Sequence, residues 1–260
     1  MSAGADQPDD APPVLRLPGW RGIAGLAHGF LGRAGGLSAG HCASLNVSGS
    51  IGDDTLAVAA NWQRIGRAFS GLRFARMRQV HGARVVRVDR ADQTVGDADG
   101  MIARTSGVGL AVLTADCVPL LCVAPAAQVV MALHAGWRGT LAGIAAAGVD
   151  EGRGWLGVGP DAWQVALGPS IGGCCYEVEA HIGRQLVDRW GAMPDAWQPA
   201  GAHGQLDLRT ANRHILMAHG VPDSQIEQVG PCTSCQSGDY FSHRRSGGLA
   251  GRQLSVIGWV

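Results

Sequence analysis

Two apolar runs, GLAVLTADCVPLLCV (109–123) and VVMALHAGWRGT (129–140), each contain a residue that can bind a metal or serve in nucleophilic chemistry. These are Cys117 and His134, and a third candidate, His81, stands in QVHG. Each follows a strand-like run, and a Gly or Pro comes within two residues of it. The separations are 36 and 17 residues, so any site they build is assembled by the fold and is not a local knuckle. One thiolate and two imidazoles suit zinc, and three protein ligands leave a fourth position for water or substrate, as in catalytic sites. Spacing alone leaves the other reading, three buried core residues, open.

Such residues need rigid elements to carry them. The runs over 109–114, 118–124 and 128–133 have strand length and read as central strands covered on both faces. ARVVRVD, WQVALG, IEQVG and the terminal QLSVIGWV supply further strands. GDDTLAVAANWQRIGRAFSG predicts a helix capped by Asp53 or Asp54, with Val58, Trp62, Ile65 and Phe69 on one face. RGTLAGIAAAGV predicts a helix, as do YEVEAHIGRQLVDRW after the turn PSIGG, and LDLRTANRHILMAHG, which Asp207 caps and Gly220 stops. Strands and helices in irregular order indicate an α+β fold, mixed sheets covered by helices. Residues 1–13 read as a disordered tail and 14–260 as a single domain, with no linker or internal repeat after residue 13.

Composition removes several classes of function. The chain of 260 residues has no lysine; all 21 of its basic residues are arginine. Schiff-base chemistry and the P-loop both need a lysine and are excluded. A phosphate or carboxylate partner must then be held by arginine forks, helix N-termini or backbone amides. Charge is balanced, 21 against 21, so neither nucleic acid nor an anionic membrane is expected as a partner. The N-terminal stretch has no secretory-signal pattern, and no apolar run is long enough to span a membrane. Seven cysteines, an odd number, then point to reduced thiols and a cytoplasmic location.

GGLSAGHCASLNVSGSIGDD, QVHG, TADCVPLLC, HAGWRGT, GPSIGGCCYEV and FSHRRSGGLAGRQ occur together in this order. They closely resemble the YfiH-like family, historically labelled laccase-domain or multicopper polyphenol oxidase, from about residue 20 to the C-terminus. The resemblance implies one zinc held by His81, Cys117 and His134. It also implies phosphorolysis of purine nucleosides (adenosine, inosine, guanosine, methylthioadenosine), with adenosine deamination as a second activity. Phosphorolysis needs a phosphate held against the anomeric carbon. Arg138, four residues past His134 at the start of a predicted helix, is the first candidate for that contact, with Arg244 and Arg245 of FSHRR as the second. For the latter two a solvated-surface reading stands beside the functional one. Ser38 and Asn46 line the pocket on the family pattern or simply shape a turn. His243 approaches the site on the same pattern; the family carries tyrosine or histidine there, which argues against an essential proton transfer.

The oxidase label fits poorly. The chain has nine histidines and no His-X-His pair, the arrangement that wraps a trinuclear copper cluster. A single adventitious copper in a His2Cys site remains chemically feasible. PCTSC (231–235) matches half of the zinc cytidine-deaminase signature; its H-x-E half is missing, so the CxxC reads as free thiols. The vicinal Cys174 and Cys175 read as packing residues. A cysteine hydrolase is the main alternative, with Cys117 and His134 as a thiolate–imidazole pair and Asp116 or another acid orienting the ring, in peptidoglycan-precursor editing for example. A non-catalytic nucleotide-binding module is the third. The sequence leaves oligomeric state undetermined.

Overall fold

Val, Leu and Ala dominate the three central apolar runs, and they form β7 (Val108–Thr114), β8 (Val118–Ala124) and β9 (Val129–Ala135). Every residue of β8 and β9 is buried, as strands covered on both faces require. β8 and β9 pair antiparallel, whereas β7 belongs to a different sheet, so the turn at 115–117 carries the chain from one sheet to the other. The structure, a computed structural model, describes residues 11–92 and 94–260. Most of the expected N-terminal tail therefore lies outside the described residues, although Pro12 is buried.

The first sheet has the order β1 (Val14–Leu15), β2 (Leu26–Leu31), β15 (Gln253–Trp259), β7, β3 (Arg73–Arg78), β5 (Thr94–Asp97). The second has the order β14 (Ile226–Gln228), β10 (Gln164–Leu167), β8, β9, β6 (Gly100–Ala103), β4 (Val85–Arg87). A small third sheet joins β11 (Glu177–Glu179), β13 (His203–Leu206) and β12 (Trp197–Ala200). Parallel pairs (β3 with β7, β4 with β6, β10 with β14) mix with antiparallel ones, as the α+β expectation requires.

The two large sheets pack face to face through Leu110, Val112 and Ile257 of the first and Leu121, Val123, Val130 and Ala132 of the second. Residues alternating with these point to the outer faces. Leu120, Met131 and Leu133 pack there against α3 (Ile144–Leu156) and α5 (Leu208–Ala218). Ala111, Leu254 and Val256 pack against Ile65 and Phe69, contributed by α1 (Thr55–Ala68) and its end. The layers are helix, sheet, sheet, helix. Asp54 caps α1 by accepting from the Leu56 and Ala57 amides, and Asp207 caps α5 by accepting from Thr210. No helix among the described residues is long and apolar enough to cross a membrane.

Two helix expectations change. YEVEAHIGRQLVDRW is helical only in α4 (Ala180–Trp190); Glu177–Glu179 pairs instead with β13 as a strand. The segment after His134 is not one helix but two, α2 (Trp137–Ala142) and α3, divided by Gly143. Gly143 has φ 90°, and a Cβ there would stand 2.7 Å from Trp190 Cζ2. Both the left-handed backbone and the indole exclude a side chain. Gly143→Ala is therefore expected to destabilise the protein by at least about 1 kcal/mol. Urea unfolding reads this as a lower midpoint at unchanged slope; a midpoint equal to the parent's would contradict it.

Candidate functional site

The loops that carry the three candidate donors meet at one end of the sandwich. β3 and β7 run parallel and end on the same side; β8 begins, and β9 ends, as neighbours in the second sheet. His81 follows β3, Cys117 precedes β8, and His134 is the penultimate residue of β9. One donor atom from each lies within 4.8 Å of the other two. The His81 and His134 rings stand 4.9 Å apart and nearly perpendicular, at 80°. Gly136 closes the group from below: a Cβ there would come to 3.0 Å from both Cys117 Sγ and His81 Cδ2. These three residues could hold a metal ion, and the donor set suits zinc or a similar cation.

Asp99, which sequence reasoning passed over, orders the group. It is fully buried, one residue before β6. Its Oδ1 accepts from His134 Nδ1 at 2.8 Å and from the His81 amide at 2.9 Å; its Oδ2 accepts from the Gly82 amide at 2.6 Å and the Val80 amide at 3.2 Å. Bonding at Nδ1 leaves His134 Nε2 as the donor facing the group, the usual outer-shell role of a carboxylate. The three amides hold the 80–82 turn, in which His81 has φ 61°. Burial works against the Asp99 charge, but the His134 and backbone hydrogen bonds hold its carboxyl below the ordinary range.

Charge couples the sulfur to the ring. Burial opposes the Cys117 thiolate, yet the charge and hydrogen bond of His134, with a hydrogen bond from His81, bring the thiol down to about 6. Burial likewise opposes imidazolium at His134, and the Cys117 charge and the Asp99 hydrogen bond raise it to about 9. Without a metal the pair therefore stands as thiolate and imidazolium between those two values.

Asp116 does not orient a ring. Held at φ 89°, it is buried and accepts from Thr233 Oγ1, Ser242 Oγ and the Arg244 amide, tying two later loops to the segment that carries Cys117. A cleft of about 780 Å³ opens over the group, lined among others by Trp62, Trp137, Tyr176, His243 and Arg138. Arg138 is exposed, stacks on Trp137 with 4.4 Å from guanidinium carbon to ring centre, and makes no ion pair among the described residues. Arg244 also lines the cleft, but its guanidinium donates to the Glu177 carbonyl and covers the Tyr176 ring. Arg245 is not among the lining residues; its guanidinium is spent on the carbonyls of Thr233, Ser234 and Tyr240. Ser38 and Asn46 are not among them either. Both join a buried knot around Asn61 of α1: Asn61 Nδ2 donates to Ser38 Oγ and to the Asn46 carbonyl. Asn46 in turn donates to Asp53 and accepts from the Ser48 and Arg252 amides, so it braces the 47–50 wall of the cleft from behind.

Two measurements follow from this geometry. Asp99→Asn keeps one acceptor oxygen and turns the other into a donor facing backbone amides, so metal affinity in chelator competition is expected to fall about 10–100-fold; unchanged affinity would contradict the role given to Asp99. At a pH between about 6 and 9 the sulfur is already ionised and His134 is not yet free of its proton. Metal uptake at pH 7.5 should then release about one proton from this pair. Calorimetry in buffers of differing ionisation enthalpy counts it, and uptake with no proton release would refute the assignment.

The family model described as Multi-copper polyphenol oxidoreductase laccase matches residues 27–260. A protein named Purine nucleoside phosphorylase YlmD, from Geobacillus stearothermophilus, is 40% identical over 255 residues, with 91% of each chain covered. One named Purine nucleoside phosphorylase, from Deinococcus radiodurans, is 38% identical, covering 95% of this chain and 92% of its own. Adenosine deaminase RL5, from an unknown prokaryotic organism, is 35% identical over 69% of this chain and 72% of its own. The crystal structure of a Bacillus licheniformis hypothetical protein YfiH superposes with a TM-score of 0.90 at 31% identity, covering 96% of this chain and 98% of that one. Motifs, fold and near-complete coverage agree, and the chain belongs to the multi-copper polyphenol oxidoreductase laccase family, the YfiH-like group.

Proposed function

We propose that the chain is a zinc-dependent purine nucleoside phosphorylase acting on adenosine, inosine, guanosine and methylthioadenosine, with adenosine deamination as a second activity. The observation that carries this reading is Arg138: an arginine without an acidic partner among the described residues, on the wall of the cleft that also holds His81, Cys117 and His134. A chain without lysine is left with arginine forks, helix N-termini and backbone amides for phosphate, and Arg138 offers the first of these. Relatives named purine nucleoside phosphorylase and adenosine deaminase support purine nucleosides as the substrate class, with adenosine among them.

On this reading His81, Cys117 and His134 hold the zinc, which when bound supplies Lewis acidity and acidifies water. Arg138 orients phosphate toward the anomeric carbon. Trp62, Trp137 and Tyr176 line the cleft and are the aromatic contacts for the purine. Asp99 positions His134, and Asp116 keeps the 233 and 242–244 loops against the cleft. His243 and Arg244 stand on the rim as further substrate contacts. Ser38, Asn46 and Arg245 support the wall rather than the substrate.

The cysteine-hydrolase reading has one observation in its favour: Cys117, His134 and Asp99 form a thiolate–imidazolium–carboxylate series of the kind that activates a nucleophile. His81, a third donor within reach of the same point, supports the metal over the nucleophile.

Incubation with adenosine and with inosine, with and without phosphate, separates the readings by chromatography of the products. Phosphate-dependent release of the base is expected, and inosine formed from adenosine without phosphate supports the deaminase. Neither product would overturn the proposal in favour of the hydrolase. Cys117→Ala should abolish both activities with loss of the metal; phosphorolysis that survives metal loss would leave the ion a structural role only. Arg138→Ala should raise the KM for phosphate about tenfold or more, the size expected for a lost charge-assisted contact; an unchanged KM would remove Arg138 from the phosphate site.

A further inference from the structure

Four cysteines outside the cleft also converge. Cys174 and Cys175 lie in the turn after β10, and Cys232 and Cys235 in the loop after β14, yet their sulfurs all fall within 4.8 Å of one another. The Sγ–Sγ separations are 3.8 Å for Cys174–Cys175, 3.7 Å for Cys174–Cys235 and 3.4 Å for Cys175–Cys235. A zinc ion with four sulfurs at about 2.3 Å sets the edges of its tetrahedron at about 3.8 Å. A disulfide needs about 2.05 Å, and all four cysteines are free. The spacing is that of ligands around a cation.

The backbone of one loop reaches a sulfur of the other. The Gly172 amide donates to Cys232 Sγ at 3.2 Å. An N–H group directed at the sulfur across the two loops is the contact that orients a ligating thiolate. Each pair sits on a tight turn: the Cys175 amide donates to the Gly172 carbonyl, and the Gln236 amide to the Cys232 carbonyl. Four thiolates around a divalent cation carry two net negative charges, and two guanidiniums flank the loops. Arg209 Nη2 lies 3.8 Å from where a Cβ on Gly172 would stand, and Arg245 donates to the Thr233 and Ser234 carbonyls.

We propose that Cys174, Cys175, Cys232 and Cys235 bind one structural zinc ion, separate from the His81–Cys117–His134 group and closed by four thiolates. The ion clamps the loop over 172–176 to the loop over 231–236. Tyr176 on the first loop lines the cleft, and Thr233 on the second donates to Asp116, so the clamp braces the wall of the candidate active site. This inference does not rest on the nucleoside reading.

Metal analysis of the full chain, prepared under reducing conditions with zinc and without chelator, is expected to give two zinc ions per chain. Cys117→Ala should keep one, and zinc-edge X-ray absorption of that variant should show four sulfurs at about 2.3 Å. Cys232→Ser/Cys235→Ser should lose one ion and melt at a lower temperature. Should that variant fail to fold, the parent protein still decides: the exposed Cys174 and Cys235 should resist a thiol reagent until a strong chelator is added. One zinc per chain with these thiols reactive beforehand, disulfides revealed by intact mass, or iron in place of zinc would each overturn the proposal.

Discussion

A carboxylate sealed from water and left without partners would cost several kcal/mol, enough to unfold a marginal domain or to force the group neutral. Asp99 is sealed in that way, and its two oxygens are satisfied by one imidazole and three backbone amides. Those donors come from both sheets: the amides from the turn after β3 in the first, the ring from β9 in the second. Meeting the needs of one buried charge thus registers the sheets against each other at the end where the site lies. It also selects the free nitrogen of His134 and holds His81 in a left-handed conformation that a histidine seldom adopts unaided.

The two apolar runs end on donors for the same architectural reason. Their interiors fill the space between sheets and helices and must be uniformly apolar; chemistry is possible only where they emerge. β7 emerges from one sheet, the chain crosses at 115–117, and β8 enters the other, so Cys117 occupies the crossing. The first sheet opens there. Backbone pairing of β3 with β7 stops at Ala75 and Leu110, and Gln79 takes over, its amide side chain exchanging two hydrogen bonds with the Leu113 backbone. Residues from both diverging strands, Arg76 to Gln79 and Leu113 to Ala115, line the cleft.

Much of this was legible in the chain. Apolar runs located β7, β8 and β9 to within two residues, and Asp54 and Asp207 announced the caps of α1 and α5, because burial and capping leave local signatures. His81, Cys117 and His134, which the fold brings together, were visible through motif and strand-end position. Asp99 was not. In DADGM it reads as a turn residue, and its partners lie 18 and 35 positions away. Asn61 is hidden the same way, a buried amide in an otherwise ordinary helix. Residue type does not reveal partners either: Arg245 and Asn46 have the right chemistry for substrate contacts, and the neighbours that take up their hydrogen bonds are mostly backbone groups or lie far away in the sequence. YEVEAHIG carries helical periodicity, and the pairing with His203–Gln205 that makes its first part a strand is non-local.

The most direct test is crystallographic: anomalous diffraction collected above and below the zinc edge from crystals grown with zinc. The account predicts a peak about 2.0–2.3 Å from Cys117 Sγ, from a ring nitrogen of His81 and from His134 Nε2, with Nδ1 still bonded to Asp99. Density with no ion among these three residues, or an ion bound through His134 Nδ1 with Asp99 turned away, would contradict it.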